Sequence, residues 1–149
     1  EADNGDSIYL SASGGTTHLN INNDHVKAVK LPANHTTVGT RYRIVQGVKL
    51  ALGGVLRVEA GASNTFSLNS YAVGTGIANR RPGAGANNLC AITGAEGSSG
   101  WGAGSYVDIV CVAANEWMLG VHGVPSKGGV QDTSLATMTG SSAVVWSTE

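Results

Sequence analysis

The sequence is short of charge. Lysine, arginine, aspartate and glutamate make up 13% of its 149 residues, against the roughly 25% usual in soluble domains. Nine bases against ten acids leave a formal net charge of −1. That excludes the basic footprint of a nucleic-acid-binding chain, and no polybasic stretch is there to hold a membrane surface. No apolar run approaches the ~20 residues of a membrane-spanning helix. The polar, acidic opening Glu1-Ala2-Asp3-Asn4-Gly5-Asp6 is unlike a signal peptide. Without an opening methionine, a segment upstream is expected either to have been removed or to lie outside this sequence.

Motifs of chemistry are missing too. The four histidines, His18, His25, His35 and His122, form no HxH, HxxxH or HExxH spacing, so simple metal sites are not expected. A metal-binding cupin would need a tight histidine pair in one strand. No GxSxG or SxxK nucleophile motif occurs. The acids, such as Asp24, Glu59, Asp108, Glu116 and Asp132, are scattered as on an ordinary surface. A glycosidase would need two of them facing across a groove. The Gly-x-Gly triplets at 74–76, 83–85 and 102–104 are followed by no helix start, and neither a Rossmann nor a P-loop pattern develops. Asn34-His35-Thr36 is a formal glycosylation acceptor, a tripeptide that arises easily by chance in a Thr- and Asn-rich chain. The expectation is a protein that is not an enzyme, with no metal and no cofactor. The two cysteines, Cys90 and Cys111, lie in apolar runs and read first as buried thiols acting as small hydrophobes. A disulfide between them would require their Cα atoms within about 7 Å.

What the chain does have is glycine, 22 residues, along with much Ser, Thr, Asn and Val. That mixture suits many short strands joined by tight turns. No segment keeps a 3.6-residue period over ten residues. Alternation predicts strands over Ser7–Ala12, Thr16–Asn22, His25–Leu31, Thr40–Val45, Val55–Ala60, Phe66–Tyr71, Leu89–Thr93 and Ala143–Trp146. Pro32 marks a strand exit, because it offers no N–H to a ladder. In Thr40–Val45 the pattern puts Tyr42 and Ile44 on one face and Arg41 and Arg43 on the other. In Val55–Ala60 it puts Leu56, Val58 and Ala60 inward and Arg57 and Glu59 outward, as a solvated pair. The stretch from Val73 to Asn88 reads as a loop, as do Gly94–Gly104 and Pro125–Gln131.

The strongest local signal is Gly102–Gly123. Two β-rich runs flank Ala113-Ala114-Asn115-Glu116, which predicts a hairpin. Val107, Ile109 and Cys111 share one face of the first strand, and Tyr106, Asp108 and Val110 the other. Trp117, Leu119 and Val121 share a face of the second. Both faces are fairly apolar, so the hairpin is either covered on both sides or part of an interface. About nine to eleven strands at this spacing predict one all-β sandwich or barrel, a single domain over 1–149 that buries roughly 68–70% of its unfolded surface. No repeat of 20–50 residues points to a solenoid or propeller.

The pattern Gly104, Tyr106, Val107, Ile109, Cys111, Asn115, Trp117, Gly120 resembles the closing hairpin of bacteriophage virion proteins, namely head-decoration (cement) proteins and tail-fibre or spike domains. Upstream, Thr40–Gln46 and Val55–Val58 are similar to the preceding strand pair of such domains. The likeness spans about residues 37–123. It implies a jelly-roll-like antiparallel β-sandwich and a non-enzymatic structural protein on the outer surface of the capsid. It also implies a homo-oligomer, typically a trimer, that clamps the major capsid protein, with no nucleic acid or membrane partner. Residues 1–7 would then be a polar arm able to add a strand to a neighbour's sheet edge.

Two places are candidate partner contacts. Arg80-Arg81-Pro82 in its glycine-rich stretch is either a solvated loop or an anchor for an acidic surface, because Arg is enriched at interfaces. Trp101, between glycines, is either a plug under a loop or an exposed contact. Trp117 and Trp146 are assigned to the core. The alternative function is a carbohydrate- or receptor-binding domain of a fibre or spike, for which Trp101 and Tyr71 would supply the aromatic surface. With only seven Phe, Trp or Tyr beyond Tyr9, a broad aromatic platform is not expected. A small sandwich enzyme or metal cupin is the remaining reading.

Overall fold

The computed structural model describes residues 7–10, 16–21, 28–47, 55–61, 63–74, 77–80, 87–93, 102–123 and 144–147. Among them there are twelve strands and no helix. In chain order they are β1 (Ser7–Tyr9), β2 (Thr16–Ile21), β3 (Ala28–Lys30), β4 (Arg41–Gln46), β5 (Val55–Glu59) and β6 (Thr65–Phe66). Then come β7 (Tyr71–Gly74), β8 (Ile77–Arg80), β9 (Leu89–Thr93), β10 (Tyr106–Ala113), β11 (Glu116–Gly123) and β12 (Val144–Ser147).

They form two sheets, β1-β3-β5-β9-β12 and β2-β4-β10-β11-β7-β8, with β6 attached to β11. One apolar core draws on both: Val29, Leu56, Val58, Cys90 and Ile92 from the first, Tyr42, Ile44, Val107, Ile109, Cys111, Trp117, Leu119 and Val121 from the second. The expected β-sandwich is thus present. Its strand pairing is mixed: β1–β3, β3–β5, β2–β4, β6–β11 and β7–β11 run parallel. Parallel neighbours cannot be joined by a tight turn and need a crossover. Here the crossover runs through the opposite sheet, because the chain alternates between sheets from β1 to β5.

The predicted hairpin is β10–β11. Its turn is Ala114–Asn115, with Asn115 at φ 60°, the left-handed conformation that Asn tolerates better than most residues. Ala113 faces Glu116, but Cys111 faces Trp117, so Val112 is an extra residue, a β-bulge. This one residue decides which face of β11 is buried. An unbulged ladder would continue from Ala113–Glu116 to Val112–Trp117. The indole would then lie on the face opposite to Val107, Ile109 and Cys111, since neighbours along a strand point to opposite sides. With the bulge, Trp117, Leu119 and Val121 join those three, and all six are fully buried.

Trp117 stacks on His35 at 5.0 Å between ring centroids and meets Tyr42 at 5.7 Å. His35 sits in the stretch from Leu31 to Thr40, which clamps the turn end of the hairpin. The Asn115 N–H donates to the His35 carbonyl at 2.9 Å, Gly39 N–H to Cys111 O at 2.8 Å, and Cys111 N–H to Thr40 O at 2.9 Å. The His35 ring in turn bonds Thr40 Oγ1 at 2.8 Å through Nε2. The Cys111 bonds continue the β4 ladder one rung beyond Arg41, and the Asn115 bond ties the turn to the same segment, so these backbone groups are paired as buried backbone must be.

Three expectations change. Glu59 is buried at 7% exposure and pairs with Lys30 at 3.4 Å rather than with Arg57. β5 is flanked by β3 and β9, and Lys30 lies directly opposite Glu59, so a covered carboxylate has the cation it needs. The run Phe66–Tyr71 is two short strands broken by a turn, with Ser70 N–H bonded to Ser67 O at 2.9 Å and Leu68 thrown outward. Residues 77–80, read as loop, form β8 against β7. Gly94–Gly100 and Pro125–Gln131 lie outside the described residues. β1 starts at Ser7, and residues 1–6 of the expected arm are likewise outside.

Both thiols are free and buried, as the apolar runs imply. Burial raises the Cys90 pKa well above the ordinary thiol value of 9.0. Cys111 is raised by burial too, partly offset by a backbone hydrogen bond at Ala113.

Two outcomes are expected. Deleting Val112 removes the extra residue and sets Cys111–Trp117 directly beside Ala113–Glu116, so Trp117 stays inward; cooperative urea unfolding should survive the deletion as it survives Val112→Thr. The thiols should resist an aromatic disulfide reagent at pH 8 in native buffer and react in denaturant. Because the folded thiols hold their protons above the pH at which unfolded ones ionise, stability is full below pH 9.0 and falls above it. The limiting slope is about 1.4 kcal/mol per pH unit for each thiol. Denaturation midpoints between pH 9 and pH 10 should show a shallower slope in Cys90→Ala.

Candidate functional site

The alternation that buries one face of β4, β10 and β11 leaves the other face outward, and the ladder register aligns its residues in rows. Arg43 faces Asp108, Asp108 faces Gly120, and Gly120 faces Tyr71. In the next row Val45 faces Tyr106, Tyr106 faces His122, and His122 faces Val73. Except for Gly120, whose outward side lies under Tyr71, all of these residues are half-buried. They form a cross-strand stack of side chains on the solvent side of the larger sheet.

The stack is held by specific contacts. Arg43 and Asp108 form a bidentate pair, Nε donating to Oδ1 at 2.5 Å and Nη2 donating to Oδ2 at 2.7 Å. The Arg43 guanidinium also lies 4.7 Å from the Tyr106 ring centroid, within cation–π range. Tyr106 stacks nearly parallel on His122, 4.4 Å apart at 12°. His122 meets Tyr71 edge-on at 5.5 Å and 86°, and His122 Nε2 shares a hydrogen bond with Tyr71 Oη at 3.3 Å, the imidazole tautomer deciding which donates. Tyr71 reaches this position because Gly120 has no side chain. A Cβ there would sit 2.8 Å from Tyr71 Oη and 2.9 Å from Cζ. The hydrogen bond to Asp108, then its charge, raises the Arg43 pKa. The pair faces solvent, so it orients the two groups more than it stabilises the fold. Arg43 and Asp108 neutralise each other and leave the row without net charge.

A second feature lies at the turn end of the hairpin. The exposed large hydrophobics among the described residues are Val38 at 63%, Leu68 at 55% and Val112 at 36%. All three adjoin the Cys111–Trp117 pair. Val112 is the bulge itself. Val38 precedes Gly39, whose N–H bonds Cys111 O, and Leu68 follows Ser67, whose N–H bonds Trp117 O at 2.8 Å. The hairpin's inner face is thus sealed, while three exposed apolar side chains stand around its turn end, one at each edge and one on the bulge.

Of the candidate contacts named from sequence, Arg80 ends β8, with its backbone paired to Ala72, while Arg81 and Trp101 lie outside the described residues. Tyr71 is in the outward stack. Arg43 and Asp108, which alternation set opposite the apolar faces of their strands, are there with it. Tyr106 was named only within the hairpin resemblance and His122 only as a histidine without metal spacing, although the alternation of β10 already put Tyr106 on the same face as Asp108. Pairing them required the bulge-shifted register, which sets Tyr106 opposite His122 rather than opposite Gly123. Among the described residues no three His, Cys, Asp or Glu side chains group as metal ligands. No protein-family model matches the chain, and no curated protein or solved structure matches it.

In Gly120→Ala the new methyl displaces the flexible end of Tyr71. The expected result is loss of the Tyr71–His122 contact, seen by NMR as a shifted His122 ring signal and lost cross-peaks between the two rings. Stability should change by no more than about 1 kcal/mol.

Proposed function

We propose that this protein is a non-enzymatic structural component of a bacteriophage particle, a head-decoration or cement protein. It binds the major capsid protein on the outer surface of the assembled shell as a homo-oligomer, with a trimer the expected form. The observation that carries this reading is the exposed apolar set Val38, Leu68 and Val112 at the turn end of the very hairpin whose residues resemble those virion proteins. Six of the eight residues of the resemblance have a framework role that supports it. Gly104, at φ 89°, and Asn115, at φ 60°, shape the strand entry and the turn. Val107, Ile109, Cys111 and Trp117 seal the core. A contact surface mounted on such a sealed, bulge-registered hairpin is held rigidly.

The mechanism is mass action. A protein that binds the assembled shell and not the free subunits stabilises the shell by RT ln(1 + [L]/Kd), about 2.7 kcal/mol per site at a free concentration of 100 Kd. Val38, Leu68 and Val112 would be buried in that contact, and the low net charge leaves little electrostatic repulsion between neighbouring copies. A second reading, a receptor-binding domain of a tail fibre or spike, is favoured by one observation: Tyr71 belongs to an organised aromatic stack on an outward face.

Co-sedimentation with purified empty capsids tests the main reading. The wild-type chain should saturate at a fixed ratio to capsid subunits. Val38→Asp and Leu68→Asp should each lower occupancy at least ten-fold with unchanged unfolding midpoints. Failure to co-sediment, or variants that decorate shells like wild type, would count against it.

A further inference from the structure

We infer that the outward row Arg43–Asp108–Gly120–Tyr71 of the larger sheet, backed by Tyr106 and His122, is a binding site for a neutral hexose unit of a glycan. This goes beyond attachment to a capsid and does not depend on it.

The inference starts from Tyr71. Its phenol end rests on the side-chain-free backbone of Gly120, and His122 holds the hydroxyl at 3.3 Å. The ring is therefore fixed across β11 while remaining half-exposed. An aromatic ring held in this way is what the apolar C–H face of a pyranose packs against. On the other side of Gly120 stands the Arg43–Asp108 pair. Each carboxylate oxygen has more than one acceptor direction, and a guanidinium has five N–H donors. After their mutual bonds at 2.5 Å and 2.7 Å, the pair still has an acceptor and donors to offer side by side. A pair of adjacent sugar hydroxyls asks for that combination. Asp108 and Tyr71 lie one strand to either side of Gly120, so their backbones are about 9.5 Å apart at the usual strand spacing. The Tyr71 phenol crosses Gly120 within that width, so the ring and the Arg43–Asp108 pair are neighbours on one surface.

Charge and size select the ligand class. Asp108 neutralises Arg43, so the row has no net field to draw an anionic sugar or a phosphate, and the carboxylate itself disfavours both. A protein partner would need roughly 800 Å² of contact on this side. The four-strand row covers about 14 Å by two residue spacings of about 7 Å, nearer the footprint of one or two sugar rings. The side chains are also held in place before any ligand arrives: Arg43 by Asp108 and Tyr106, Tyr106 by His122, His122 by Tyr71. Binding therefore freezes few rotamers, and that lowers its entropic cost.

The test uses the full chain on an array of neutral and acidic oligosaccharides, followed by competition with free glucose, galactose and mannose. The expected result is retention of at least one neutral hexose-terminated glycan, competed by one of these sugars at millimolar concentration. Retention should fall at least ten-fold in Tyr71→Ala and in Asp108→Asn, both with cooperative unfolding preserved, and persist in Tyr71→Phe, which keeps the ring. No retained neutral glycan, retention of acidic glycans alone, or equal retention in Tyr71→Ala and Asp108→Asn overturns the inference. So does a loss of capsid decoration in these two variants with no glycan bound, which would make the row a protein contact. No capsid is present on the array, and Val38→Asp should bind glycans like wild type, so failure here is distinct from failure of the decoration reading.

Discussion

Burial of the Trp117 indole is the constraint on which the rest of this molecule depends. The side chain is the largest fully buried one among the described residues, and the chain is arranged to admit it. A bulge at Val112 turns it inward, His35 covers one face of its ring, and Tyr42 packs beside it. Truncating a buried tryptophan costs about 3–5 kcal/mol, a large share of the 5–15 kcal/mol that separates a typical domain from its unfolded state. The clamp of residues 31–40 follows from the same requirement. The hydrogen bonds from Gly39 and to Thr40 extend the β4 ladder past the bulge, and the bond from Asn115 ties down the turn.

The bulge also builds the outward face. By shifting β11 one residue against β10, it sets Tyr106 beside His122 and Asp108 beside Gly120. The same register thus packs the core and assembles the stack that runs from Arg43 to Tyr71. Inner and outer faces of the hairpin are two consequences of one backbone irregularity. The turn end adds a third, since the bulged Val112 is itself one of the exposed apolar side chains. The exposed apolar residues at the tip and the polar–aromatic surface on the flank lie at different places on the same hairpin.

Much of this was legible in the chain. The hairpin, the inward sets Val107/Ile109/Cys111 and Trp117/Leu119/Val121, the split of Tyr42 and Ile44 from Arg41 and Arg43, and the buried thiols all follow from period-two patterning and the habits of cysteine. Local pattern failed where a distant strand intervened. Glu59 alternates as an outward residue, yet Lys30 opposite it makes burial tolerable. Phe66–Tyr71 alternates as one strand, yet β6 and β7 each pair with a different part of β11, and a turn separates them. The outward stack was legible in part: Tyr71 was named, and Arg43 and Asp108 were set opposite the apolar faces of their strands, whereas Tyr106 and His122 needed their partners across the ladder.

The amino-acid sequence by itself determined an all-β sandwich with a closing hairpin, because strand faces are written in alternation and turns in Gly, Pro and Asn. The tertiary structure alone decided the parallel pairings, the Lys30–Glu59 contact and the joining of Arg43, Asp108, Gly120, Tyr71, Tyr106 and His122 into one surface. The physical reason is distance along the chain. Arg43 and Asp108 are 65 residues apart and Tyr71 and His122 51 apart. No periodicity within a strand encodes which strand will lie beside it.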